Sequence, residues 1–224
     1  KVVGWILDGN RWYYRYPDGT YLKNGWGFIG NIWYLFDANG MMLTGWQKID
    51  GVWYYLYNWG GMATGWQKVN GVWYYLKSWG GMATGWQKVG STWYYLTGSG
   101  AMAEGWGNIG GTWYYFQPGN GAMQVGWVKD GNIWYYMNGS GHMLKGFITV
   151  GNGKYYMNGS GRMVTGWNVI NGYWYYFTSS GKMATGWQKI DNKWYYLSSD
   201  GKMAKNTWVG NWYVNGSGVW VKSR

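Results

Sequence analysis

The chain has no cysteine, two prolines and a single histidine. No cysteine means no disulfide framework and no thiolate metal site. Charge is scarce as well: 12% of residues are charged and only 8 are acidic, where an ordinary globular domain carries about 25%. The carboxylates Asp8, Asp18, Asp37, Asp50, Glu104, Asp130, Asp191 and Asp200 fall mostly in or beside turns, where Asp is favoured for local reasons. No two of them recur at a spacing that pairs a general acid with a base, and no metal-ligand cluster forms. His142 sits in a glycine-rich connection, where other copies of the motif carry Lys, Arg, Ala or Gly. The expectation is a binding module and not an enzyme, with no cofactor. Long apolar runs are missing too, so no segment reads as a membrane span. Lys1 begins in mid-pattern without a signal-type leader, as in an excised module or a mature piece of a larger protein.

What is abundant is aromatic and glycine: 23 Trp, 24 Tyr and 42 Gly in 224 residues. These are ordered by a repeat, GWQKVNGVWYYLKSWGGMATGW over 65–86. Gly-Trp recurs at Trp5, Trp26, Trp46, Trp66, Trp86, Trp106, Trp127, Trp167 and Trp187, with Phe147 and Trp208 where the copy is worn, in steps of mostly 20 or 21 residues. A fixed period of this size marks a repeat architecture.

Within a repeat, two β-branched and aromatic runs flank a pair such as Asn70-Gly71, Asp50-Gly51 or Asn171-Gly172. Such pairs tolerate positive φ and predict a hairpin with a type I′ turn. Ten hairpins are expected. The register places Trp66 opposite Tyr75, Lys68 opposite Trp73 and Val69 opposite Val72. Alternation then puts Trp66, Lys68, Trp73 and Tyr75 on one face, with Gln67, Val69, Val72 and Tyr74 on the other. A lone hairpin is marginal in water, so successive hairpins are expected to stack. A methionine stands three residues before the next Gly-Trp glycine in most copies, as at Met82, with Leu22 in its place in the first. The terminal stretches, 1–25 and 204–224, depart from the pattern as capping repeats do.

Aromatic walls without matching polar groups suit a ligand that donates no hydrogen bonds. A quaternary ammonium is one, held by ring quadrupoles at about 0.5–2 kcal/mol per contact. The net charge of +11 favours a polyanionic partner, yet the basic residues are scattered at about two per repeat, which argues against nucleic acid.

The pattern of Gly-Trp, a seven-residue step to Trp-Tyr-Tyr, then Gly-x-Met-x-Thr-Gly-Trp, resembles the choline-binding repeats (cell-wall-binding repeats) of Gram-positive surface proteins and phage lysins. The resemblance implies an all-β fold, a left-handed β-solenoid of about ten stacked hairpins over 1–224. It implies secretion and binding of phosphocholine on teichoic and lipoteichoic acids of the cell wall. It further implies aromatic cages made of two Trp of one repeat, the Met that follows, and a Tyr of the next. Carried onto this chain, one cage comprises Trp66, Trp73, Met82 and Tyr95, and the two before it are Trp46, Trp53, Met62, Tyr75 and Trp26, Trp33, Met42, Tyr55. Those after it are Trp86, Trp93, Met102, Tyr115, then Trp106, Trp113, Met123, Tyr136, then Trp127, Trp134, Met143, Tyr156, with a further set at Trp167, Trp174, Met183, Tyr196. Three sets depart: Trp5 and Trp12 meet Leu35, Phe147 pairs with Lys154, and Trp187 with Trp194 meets Val214. These three are expected not to bind. Lys48, Lys68, Lys88, Lys129 and Lys189 are expected to approach the phosphate beside a seated choline. A homodimer through a terminal hairpin fits the resemblance, as does attachment to a wall hydrolase or an adhesin. The alternatives are a glucan-binding repeat module, for which the cage positions offer few carboxylates or amides, and a protein-binding adhesin region reading the repeated Gln47, Gln67, Gln87 and Gln188.

Overall fold

The computed structural model describes residues 3–224. Among these residues there is no helix, and all regular structure is antiparallel β. Ten two-stranded hairpins follow one another. The first pairs Gly4–Asp8 with Arg11–Arg15, the fourth pairs Gly65–Val69 with Val72–Leu76, and the tenth pairs Gly186–Ile190 with Lys193–Leu197. An eleventh element closes the chain: a three-stranded sheet of Thr207–Val209, Trp212–Val214 and Trp220–Ser223, with Trp212–Val214 in the middle. The third strand there has no counterpart in the repeats and was not anticipated from the sequence.

The turns explain the hairpins. Asn70 and Gly71 take φ of 50° and 84°, and Asn171 and Gly172 take 51° and 84°, the positive pair that a type I′ turn demands. The expected register holds: Trp66 faces Tyr75, Lys68 faces Trp73 and Val69 faces Val72, with Gln67 opposite Tyr74.

The described residues form two compact units, one reaching to 105 with 116–123, the other of 106–115 with 124–224. In each, the core is a file of residues that end the second strands. In the first unit Leu56, Leu76, Leu96 and Phe116 are fully buried, and in the second Met137, Met157, Phe177 and Leu197 are. Burying such a side chain contributes about 1.5–3 kcal/mol, so one apolar position per repeat secures each hairpin to its neighbours.

Backbone bonds of two kinds lace the stack. Ala83 N donates to Tyr75 O of its own hairpin at 2.8 Å, while Met82 N donates to Trp53 O of the hairpin before at 2.7 Å. The same pair of bonds recurs, for example Ala103 N to Tyr95 O and Met102 N to Trp73 O, both at 2.8 Å. Each connection is thus tied backwards by one hairpin. That backward tie decides where the methionines go.

Candidate functional site

Successive hairpins within a unit stack in one orientation, so the Trp-bearing face of one meets the Gln/Tyr face of the next. Trp66 and Trp73 stand at right angles, with ring centroids 6.4 Å apart. Tyr94 of the following hairpin packs on Trp66 at 4.8 Å. Met102, whose N–H is held by Trp73 O, completes the enclosure. These four side chains line a cleft of about 250 Å³ together with Gly119 and Asn120, close to the lower end of ordinary ligand sites. Its walls are mostly apolar.

The cage therefore differs from the expected one in two members. Tyr95 shares the Trp face of its own hairpin, 5.2 Å from Trp86, and so cannot close the cleft in front of Trp66. The same correction applies to Tyr55, Tyr75, Tyr115 and Tyr136, which pack on Trp46, Trp66, Trp106 and Trp127 of their own hairpins at 5.0–5.1 Å. It applies equally to Tyr156 on Phe147 at 4.8 Å and Tyr196 on Trp187 at 5.4 Å. Side chains alternate along a strand, so the residue facing backwards is the tyrosine one position earlier. The methionine moves as well. Met42, Met62, Met82 and Met102 donate to Trp12, Trp33, Trp53 and Trp73, and Met123, Met143, Met163, Met183 and Met203 to Trp93, Trp113, Trp134, Lys154 and Trp174. Each serves the cleft one repeat earlier than expected.

The second unit repeats the arrangement. Trp127, Trp134, Tyr155 and Met163 line a cleft of about 320 Å³ with Ser180. Trp167, Trp174, Tyr195 and Met203 line one of about 440 Å³ with Lys205, Gly216 and Ser217. Trp106 has Tyr135 at 4.6 Å, and its Nε1–H donates to Asp130 Oδ2 at 2.9 Å. In the first unit, Trp26 has Tyr54 and Trp46 has Tyr74, both at 4.9 Å.

The shift also changes two of the three sets expected not to bind. Trp5 meets Tyr34, not Leu35, at 4.7 Å, and Met42 N donates to Trp12 O, so this set is complete. Burial pushes the Tyr34 hydroxyl above its ordinary pKa, so this wall stays neutral. At the far end Val214 is fully buried, and Trp212 takes the tyrosine's place, 5.7 Å from Trp187. Trp187, Trp194, Trp212 and Trp220 line a cleft of about 280 Å³. The Phe147 cleft remains the odd one, with Lys154, Tyr175, Met183, Asp200 and Lys202 around it.

Lysines stand at the rim. The ammonium groups of Lys48, Lys68, Lys88 and Lys129 lie 5.7–5.8 Å from the ring centroids of Trp53, Trp73, Trp93 and Trp134. The glutamines are otherwise engaged: the amides of Gln47, Gln67, Gln87 and Gln188 donate to Thr44, Thr64, Thr84 and Thr185 carbonyls of the preceding connection. Among the described residues no group of His, Asp or Glu is placed to hold a metal ion.

The choline-binding repeat family matches residues 23–64, 63–105, 103–146, 144–184 and 164–208, and a cell wall binding repeat matches 3–21. Among solved structures, CbpJ from Streptococcus pneumoniae TIGR4 is 32% identical with a TM-score of 0.81, covering 99% of this chain and 94% of its own. Choline binding protein F from Streptococcus pneumoniae is 34% identical with a TM-score of 0.69, covering 99% of this chain and 86% of its own. The autolysin LytC from Streptococcus pneumoniae, a modular protein, is 28% identical with a TM-score of 0.52 and is matched over 52% of its length, against 90% of this chain. No curated protein sequence matches the chain.

Proposed function

Because the chain belongs to the choline-binding repeat family, we propose that it is a wall-binding module acting outside the cell. It seats the trimethylammonium of phosphocholine, borne on the teichoic and lipoteichoic acids of a Gram-positive wall, in the clefts between hairpins. It works by binding and carries no chemistry of its own. The observation behind this reading is the recurring pair of tryptophans at right angles, closed by the next hairpin's aromatic and usually a methionine. A quaternary ammonium donates no hydrogen bond, so apolar walls cost it no unmet partner. Ring faces return about 0.5–2 kcal/mol each.

The binding residues assigned on this reading are Trp66, Trp73, Tyr94 and Met102 and their equivalents, including Trp5, Trp12, Tyr34 and Met42. Trp187, Trp194, Trp212 and Trp220 form the last site. One such cage holds free choline with a dissociation constant near 1 mM, about −4 kcal/mol. Several in one chain, facing a polymer with repeated phosphocholine, gain orders of magnitude by avidity. The rim lysines meet the phosphate next to each seated choline, a contact that added salt weakens. Replacing Lys48, Lys68, Lys88 and Lys129 by Gln weakens polymer binding and flattens its salt dependence.

The test is a choline chloride titration followed by tryptophan fluorescence, with dextran in parallel. Saturation near millimolar choline and silence with dextran is the expected result. Silence with choline and a response to dextran would overturn the reading in favour of a sugar module.

A further inference from the structure

Clefts before the last have one more neighbour, supplied from two repeats further along. The connection after a hairpin turns tightly: Gly80 N donates to Lys77 O at 2.8 Å, and Lys77 N to Gly81 O at 2.9 Å. The first glycine of this turn lies against the methionine of the repeat before. A Cβ on Gly80 would stand 2.2 Å from Met62 Sδ, and one on Gly121 would stand 2.4 Å from Met102 Sδ. The residue just before that glycine is thereby carried to the open side of the cleft the methionine closes. It is Asn120 in the Trp66 cleft, Ser180 in the Trp127 cleft, Ser217 in the Trp167 cleft and Asp200 in the Phe147 cleft.

By the same spacing, the residue that reaches the Trp5 cleft is Trp59, and the one that reaches the Trp26 cleft is Trp79. Both are found there. The Trp59 ring lies 6.2 Å from Tyr34 at 73°, and the Trp79 ring 6.0 Å from Tyr54 at 69°. They are 51% and 53% exposed, so they are not core residues. They are nonetheless pinned, because each ring lies flat on a glycine. A Cβ on Gly61 or Gly81 would come within 2.0 Å of it. A large exposed ring held rigid over an aromatic cleft has lost rotamer freedom without gaining burial, an arrangement that pre-organises a binding wall.

We infer that Trp59 and Trp79 are ligand-contacting walls that make the two N-terminal clefts tighter cation sites than the clefts with serine or asparagine at this position. The residue at this position grades affinity along the repeats, with tryptophan above serine or asparagine. The inference rests on the cage reading above. One added ring face is worth roughly a 3- to 30-fold change in affinity.

The experiment uses the full chain, titrated with choline chloride and followed by the indole N–H resonances, each assigned by a single Trp→Phe replacement. Trp79→Ser weakens the cleft of Trp26 and Trp33 by that factor and leaves the cleft of Trp66 and Trp73 unchanged. The reciprocal Ser180→Trp with Lys182→Gly, which gives the ring the glycine seat that Gly61 and Gly81 supply, tightens the cleft of Trp127 and Trp134. Unchanged affinity at the Trp26 cleft in Trp79→Ser, or no tightening in the double variant, with choline still saturating the other clefts, overturns the inference and leaves the cage reading standing. Indole resonances that ignore choline in every variant and in the parent overturn both.

Discussion

The Trp66 cleft and the Phe147 cleft share a hairpin backbone and differ in the side chains that line them. In both, the methionine N–H donates to the same carbonyl of the preceding hairpin, Met102 to Trp73 at 2.8 Å and Met183 to Lys154 at 2.7 Å. In both, five residue pairs hold the same register across the hairpin. Phe147 stands for Trp66, Lys154 for Trp73 and Asp200 for Asn120. Phe147 still packs on its own Tyr156 at 4.8 Å and on Tyr175 of the next hairpin at 5.3 Å. The first aromatic of a repeat therefore packs hairpin on hairpin whatever the cleft binds. The second is different: Trp53, Trp93, Trp134 and Trp174 are exposed, and one repeat does without it. Stacking depends on the first position of the motif, while the second is free to vary with the cleft.

The largest effects fall on what the two clefts share. Leu76 and Met157 end the second strands of the two hairpins, and both are fully buried. Leu76→Ala and Met157→Ala are each expected to cost about 2–5 kcal/mol, read from thermal or urea unfolding, although only one adjoins a complete cage. A penalty confined to Leu76 would break the comparison, because the fold would then depend on the cage.

Next come the positions that differ. Trp73→Lys removes a ring face and puts an ammonium where a cation must sit. The Trp66 cleft should bind choline more than about 30-fold more weakly, with little change in Tm. In reverse, Phe147→Trp with Lys154→Trp should raise the calorimetric choline stoichiometry by about one. Unaltered stoichiometry would mean that Asp200 and Lys202 also bar the cleft.

A finer contrast separates neighbours in one strand. Tyr94→Ala should weaken choline in the Trp66 cleft by roughly 3- to 30-fold. Tyr95→Ala should leave that cleft alone and lower stability, since Tyr95 packs on Trp86 at 5.2 Å and lies 6.4 Å from Phe116. Equal effects would erase the distinction between the two faces. The repeat, the hairpins and their register were legible because turn pairs such as Asn70-Gly71 and alternation along Val72–Leu76 are local signals. The same alternation already implied Tyr94. Hairpins stacked in one orientation show each other opposite faces, so the aromatic that meets the preceding hairpin's tryptophan is Tyr34 at Trp5 and Trp212 at Trp187, not Leu35 or Val214. The methionine's true cleft was not legible, nor were Trp59, Trp79 and Trp220. Their places follow from backbone bonds between hairpins and from a third C-terminal strand, which no short-range pattern announces.

The smallest effect concerns charge, which lines one cleft and only rims the other. In the Phe147 cleft, Asp200 accepts from Lys202 Nζ at 2.8 Å and from Ser198 Oγ. These bonds, the lysine's first, hold its carboxyl far below the usual carboxylate range, while Asp200 raises the Lys202 ammonium above its own ordinary value. A carboxyl lowered on folding contributes stability that is present above its unfolded pKa, near 3.8, and lost as pH falls through the folded value. A raised lysine contributes below 10.5 and loses that as pH climbs through its folded value. The pair is intact between these limits. Both side chains are solvated, so Asp200→Asn should lower Tm by no more than about 2 °C at pH 7. That gap should hold to about pH 4 and close below it, whereas Asn120→Ala in the Trp66 cleft should show no pH dependence at all. A gap closing already between pH 7 and 5 would mean that another group, and not the Asp200 carboxylate, sets the difference between the two clefts.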